Sequence, residues 1–129
     1  MTIELWILFA AACLGIVHIS AASFAFKAQV GNRYTVGPRD EDLKPSGIAG
    51  RLARAQANFM ETFPVFAVFV LIVALTDEGG PLSLWGSAVY LAGRVVYLPL
   101  YAAGIPWLRT FSWNIATLGL VLTGAQVLF

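Results

Sequence analysis

The sequence contains little charge. Only 12% of its 129 residues are Asp, Glu, Lys or Arg, whereas 59% are hydrophobic. Soluble domains carry about 25% charged residues. The composition therefore excludes a soluble domain and predicts an integral membrane protein with a single domain, residues 1–129.

Reactive and metal-binding residues are also scarce. The one cysteine, Cys13, has no partner for an intramolecular disulfide. The one histidine, His18, has no second ligand at metal-binding spacing, so we expect no metal site and interpret His18 as a hydrogen-bonded interior residue. A net charge of +1 gives no reason to expect a nucleic-acid partner.

Four apolar segments are long enough to cross a membrane, which takes about 20 residues of helix. They cover residues 5–28, 48–76, 82–103 and 108–129. A polar loop, "GNRYTVGPRDEDLKPSG", separates the first two segments, and the short stretches "DEGGP" and "GIPW" separate the others. The pattern predicts an all-α fold, a four-helix bundle embedded in the membrane.

The charges are distributed unevenly between the two ends of these spans. All eight cations lie in the first and third loops or lean toward them, whereas the opposite side has Glu4, Asp77 and Glu78. Positive charge marks the cytoplasmic side of membrane proteins. We therefore expect the first and third loops to be cytoplasmic and both termini to lie outside.

The second and third spans each carry a polar stripe. With about 100° of rotation per residue, four residues of the second span fall within about 80° of one another. They are Arg51, Arg54, Asn58 and Glu61. The third span has a narrower stripe, made of Tyr90, Arg94, Tyr97 and Tyr101. Because polar faces do not favour lipid, the two stripes should face each other inside the protein.

Depth predicts one pairing between these stripes. Glu61 lies about 22 Å along its helix from Thr76, and Arg94 about 18 Å from Leu82. A lone charge at that depth is costly, so we expect Glu61 and Arg94 to form an ion pair or share a hydrogen-bond network. Such a pair could have a structural role only, by fixing the register of the two helices. However, the number of further polar groups favours a cationic pocket for a small anion that carries carboxylates and amides.

Two motifs resemble a known family, the membrane-associated proteins in eicosanoid and glutathione metabolism (MAPEG). "RAQANFMETFP" resembles the family signature at the start of its second helix. "GRVVYLPLYAAGIPWLR" resembles its third helix and the following loop. The four spans, the chain length and the polar first loop also match, and the short form resembles bacterial members. Thr62 departs from the pattern, because many relatives have an aromatic residue there.

The resemblance implies a homotrimer that binds glutathione between neighbouring subunits near the cytoplasmic face. It implies glutathione-binding roles for these matched positions: Arg33, Arg54, Gln56, Asn58, Glu61, Tyr97 and Tyr101. Arg94 joins this set because it lies on the same polar face. Arg109 matches the arginine that stabilises the thiolate in eicosanoid-forming members, so it is the expected catalytic residue.

The implied activity is that of a membrane-bound glutathione transferase, with glutathione as co-substrate and a lipophilic electrophile or peroxide as the second substrate. Its role would be detoxification, in the plasma membrane for a bacterial member. Two alternatives remain open. A non-catalytic scaffold or regulator could share the fold. A small multidrug transporter also has four spans and an intramembrane glutamate, although the arginines near Glu61 would repel cationic cargo.

Overall fold

The chain folds into α-helices only, as its composition and apolar runs predict. The structure, a computed structural model, describes all residues 1–129. Its helices are α1 (Ile3–Val30), α2 (Asn32–Val36), α3 (Gly47–Thr76), α4 (Pro81–Ala103) and α5 (Pro106–Ala125). The four long helices overlap the four apolar segments. The short helix α2 lies in the first polar loop and was not predicted.

Local sequence sets where the long helices begin and end. Thr2 Oγ1 caps α1 by accepting a hydrogen bond from the Leu5 backbone N–H. Pro81 and Pro106 open α4 and α5, where a missing N–H costs nothing. Gly104 ends α4 with a φ of 74°, a left-handed conformation that favours glycine. The resulting turn places Arg109, in the first turn of α5, beside the last turn of α4.

The helices α4 and α5 pack closely because small residues face each other along their contact. A Cβ atom added to Gly86 would lie 2.6 Å from the Thr123 backbone nitrogen. One added to Gly93 would lie 2.9 Å from the Ala116 Cβ. Small residues allow this approach between membrane helices. The contact fixes the position of α5 relative to α4, and with it the position of Arg109 relative to the α4 tyrosines.

A polar cluster joins three segments at the end of the molecule where α1 and α4 begin. The Ser83 hydroxyl donates to the buried Glu4 carboxylate over 2.8 Å. Gln126 Oε1 accepts from the backbone N–H groups of Leu82 and Ser83, which are free at a helix start. These bonds hold the N-terminus of α4 against both chain termini. The opposite end, where α3 and α5 begin, is called the site end below.

The surface of the helices suits a membrane. By length and composition, helices α1 and α3 are apolar enough to cross a bilayer, whereas α4 and α5 are not. Large apolar side chains are nevertheless exposed along all four long helices; Phe24, Leu75, Val95 and Phe111 are examples. Exposed apolar area of this extent marks a surface covered by lipid or by other protein.

Candidate functional site

A cavity lies at the site end, between α3, α4 and α5. Its volume is about 260 Å³. Six residues line it: Asn58, Tyr97, Tyr101, Arg109, Thr110 and Trp113. The first four are predicted site residues, so the two polar stripes do meet here, together with the first turns of α5. Thr110 and Trp113 were not predicted, although Trp113 follows Arg109 by four residues and therefore lies on the same face of α5.

Arg109 is held over an aromatic ring at the wall of this cavity. Its guanidinium carbon lies 4.5 Å from the centre of the Tyr101 ring. The Tyr101 hydroxyl also accepts a hydrogen bond from Arg54 Nε over 3.3 Å. The rings of Tyr101 and Tyr97 meet edge to face, 5.4 Å apart. A cation over a ring is attracted by about 0.5–2 kcal/mol, so Tyr101 orients the positive charge of Arg109 at the cavity wall.

Arg94 does not line the cavity but contacts two residues that do. Its side chain is only 1% exposed, and its guanidinium carbon lies 4.4 Å from the Tyr97 ring centre and 5.4 Å from that of Phe59. Arg94 Nη1 donates to Asn58 Oδ1 over 2.8 Å. Its other two nitrogens have no hydrogen-bond partner in the chain. Arg94 therefore holds the Asn58 amide and the Tyr97 ring in position, and both of these side chains line the cavity.

The predicted pairing of Glu61 with Arg94 is wrong. The only salt bridge in the chain joins Lys44 to Asp42, at the surface. Glu61 is exposed, whereas Asn58, one helical turn earlier, points inward and takes the hydrogen bond of Arg94. A short amide on the inner side of the stripe reaches the buried guanidinium more directly than a carboxylate on its outer edge. Glu61 thus remains at the protein surface beside the cavity.

Two further predicted residues lie elsewhere at the site end. Gln56 lines a separate cavity of about 440 Å³ between α1, α2 and α3, where Lys27 and Arg39 supply positive charge. Arg33, on α2, lines a third cavity together with Arg39. Neither residue lines the cavity of Arg109. Residues that the resemblance assigns to one glutathione site therefore occupy different faces of the chain.

His18 is an interior residue, but the predicted hydrogen bond is not present. It is 1% exposed, and neither ring nitrogen has a hydrogen-bond partner in the chain. Instead its ring stacks on Phe59, with the ring centres 4.7 Å apart. Phe59 in turn lies against Arg94. The prediction placed His18 correctly in the interior but assumed the wrong interaction, because the absence of a second metal ligand does not identify the residue that His18 contacts.

The arrangement favours a particular ligand chemistry. A guanidinium stays protonated in proteins, so Arg109 is a fixed positive charge. Near it, the Asn58 amide and the Tyr97 hydroxyl can hydrogen-bond polar groups. A fixed cation with hydrogen-bonding neighbours at a membrane surface suits a small polar anion, and it lowers the free energy of a negative charge placed beside it.

Comparison with known proteins identifies the family. No curated protein and no solved structure matches the chain. The model of one family, MAPEG, matches residues 3–129, which is essentially the whole chain. The motifs of the second and third spans, the all-helical fold, the apolar exposed helices and this match agree. The chain belongs to the MAPEG family of membrane proteins.

Proposed function

We propose that this protein is a membrane-bound enzyme of the glutathione transferase type. It activates the thiol of glutathione for attack on lipophilic electrophiles or peroxides. The observation that carries the proposal is the position of Arg109, fixed over Tyr101 at the wall of a cavity that also presents Asn58 and Tyr97. The MAPEG family includes glutathione transferases and related enzymes, together with members that are not catalytic.

The proposed role of Arg109 is electrostatic. A free thiol has a pKa near about 8.5, so little thiolate exists at neutral pH. A guanidinium beside the sulfur stabilises the thiolate and cannot itself take up the proton, which leaves to solvent. Asn58 and the two tyrosines orient the peptide by hydrogen bonds. Arg109 thereby prepares a nucleophile without acting as a base, and an electrophile dissolved in the bilayer can reach it from the side.

The division of the predicted residues between faces supports assembly as a homotrimeric four-helix bundle. The cavity of Arg109, at about 260 Å³, is smaller than typical ligand pockets of about 300–1,000 Å³. Gln56 and Arg33 lie on another side of the chain. In a closed ring, one face of each copy meets a different face of the next. A trimer of this kind would bring Gln56 and Arg33 of one copy to the Arg109 cavity of its neighbour.

The proposed orientation places the site end at the cytoplasm, where glutathione is available. Lys27, Arg33, Arg39 and Lys44 lie in or next to the first polar loop at this end. The other end has Glu4, Asp77 and Glu78 and no Lys or Arg. By the positive-inside rule the loops at the site end face inward and both termini face outward.

Purified protein in detergent, assayed for glutathione-dependent consumption of an aryl halide, tests this function. We expect saturable turnover with both substrates, at a rate above the spontaneous reaction. Saturable glutathione binding without turnover would instead support a non-catalytic scaffold. Proton-coupled uptake of a cationic drug by reconstituted vesicles, without glutathione binding, would support the transporter and contradict the proposal.

A further inference from the structure

A further cavity lies at the other end of the molecule, where α1 and α4 begin. Its volume is about 540 Å³, which is within the range of about 300–1,000 Å³ usual for small-molecule sites. The first residues of α1, the turn between α3 and α4, and the first residues of α4 line it. Because the Arg109 cavity is at the opposite end, binding here is independent of the proposed function.

This cavity is lined by a carboxylate that is buried and incompletely paired. Glu4 is only 8% exposed, yet it lines the cavity. Its Oε1 accepts from the Ser83 hydroxyl over 2.8 Å. That hydroxyl has a single proton, which it shares with the Gly80 carbonyl oxygen 2.9 Å away. Glu4 Oε2 accepts no hydrogen bond from the chain and is not fully enclosed by it. The carboxylate therefore keeps lone pairs that can accept hydrogen bonds from a ligand.

No cationic side chain compensates the charge of Glu4. This end of the molecule has no Lys or Arg, and Asp77, which lines the same cavity, adds a second negative charge. The amino group of Met1 forms no salt bridge. A buried carboxylate is costly unless a cation or several hydrogen bonds stabilise it. The cavity therefore favours a positively charged occupant.

The rest of the lining indicates which kind of cation fits. Ile3, Leu84 and Trp85 supply apolar and aromatic surface, and an aromatic face attracts cations. A metal ion does not fit, because Ca²⁺ takes about six to eight oxygen ligands and no three acidic or histidine side chains lie close enough together to hold a metal. A zwitterionic lipid headgroup does not fit either, since no Lys or Arg is present for its phosphate.

We propose that this cavity binds lipophilic primary amines in their protonated form. The ammonium group donates hydrogen bonds to the Glu4 carboxylate, and Asp77 adds electrostatic attraction. The apolar part of the amine lies against Leu84 and Trp85. An ammonium that carries N–H groups is required, because a quaternary ammonium cannot donate to the free lone pairs of Glu4. Amphiphilic amines concentrate at the membrane–water interface, the depth that tryptophan also favours.

Calorimetry with 2-phenylethylamine and its neutral analogue 2-phenylethanol tests the site, on the purified protein in an uncharged detergent at neutral pH. We expect the amine to bind about tenfold more tightly than the alcohol, or better, because hydrogen bonds to a charged group are strong. Glu4→Gln keeps the shape of the side chain and can still accept from Ser83. It should weaken binding of the amine about ten- to a hundredfold and change binding of the alcohol by less than about twofold.

Glu78→Gln is the matched control, because Glu78 carries the same charge at the same end but does not line the cavity. It should leave the affinity for the amine nearly unchanged. Trp85→Ala, at a position that is 67% exposed, should weaken binding of both compounds, since it removes part of the apolar wall. Thermal melting of each variant shows whether the fold is kept.

Equal affinity of the parent protein for the amine and the alcohol would overturn the proposal. This comparison needs no variant, so it decides the matter even if Glu4→Gln does not fold. Unchanged amine affinity in a folded Glu4→Gln protein would also overturn it, because Glu4 would then stabilise only the contact with Ser83. Equally tight binding of the trimethylammonium analogue would overturn the assignment to primary amines, and Glu4-dependent binding of Ca²⁺ in place of the amine would assign the cavity to a metal ion instead.

Discussion

Replacing Arg109 with alanine is expected to remove most turnover at neutral pH while the fold and most of the glutathione affinity remain. The guanidinium lies at the cavity wall, over the Tyr101 ring, and it is only partly buried. Loss of one preorganised group that stabilises developing charge typically costs about 10²–10³ in kcat. The ultraviolet absorption of bound thiolate should fall in parallel. Steady-state kinetics and a glutathione titration at one pH measure both effects.

Two further variants make this prediction specific. Arg109→Lys should recover part of the rate, because the charge is kept and the planar guanidinium is lost. Lys44→Ala removes a positive charge at the same end, from an exposed pair with Asp42, and should change little. A normal rate and thiolate signal in Arg109→Ala would show that this arginine only anchors the start of α5 at the membrane surface.

Replacing Arg94 with methionine is expected to weaken glutathione binding about tenfold without lowering the thermal stability. Arg94 is buried with two unpartnered nitrogens, and an apolar side chain of similar volume often replaces a buried charge without loss of stability. Asn58, however, loses the hydrogen bond that orients its amide at the cavity wall, and a tenfold loss of affinity corresponds to about 1.4 kcal/mol. Thermal melting and calorimetry measure the two effects separately.

A double-mutant cycle with Asn58→Ala tests how Arg94 acts. If Arg94 acts through Asn58, the double variant should bind glutathione no more weakly than Asn58→Ala alone. Arg51→Met is the control, since Arg51 lies at the same end and donates to the Ala102 carbonyl instead. Additive losses in the cycle, or unchanged affinity in Arg94→Met, would contradict the supporting role of Arg94.

Much of the architecture could be predicted from the residue pattern. Long apolar runs with few charges indicate membrane helices, and Gly104 followed by Pro106 marks the turn between α4 and α5. The polar stripes also predicted correctly that residues from both helices meet, because helical periodicity fixes the face of each residue. The short helix α2 could not be predicted in this way, since five residues are too few to show a period.

The identity of individual partners could not be predicted. Depth estimated from the rise per residue is uncertain by about one turn, and Asn58 and Glu61 lie on one stripe one turn apart. The sequence therefore could not decide which of them would meet Arg94. Periodicity did separate Asn58, which is on the stripe and lines the Arg109 cavity, from Gln56, which is off the stripe and lines another; only the family resemblance assigned both to one site. Trp113 could have been found, since it follows Arg109 at helical spacing, but an aromatic residue in an apolar helix is usually packing.

The most direct test of the central claim is a titration of the purified protein with glutathione at neutral pH, followed by the ultraviolet absorption of the thiolate. The account predicts a thiolate signal that rises and saturates as the sites fill, because the fixed charge of Arg109 favours ionisation of the bound thiol. Binding of glutathione without any thiolate signal, or no binding at all, would contradict it.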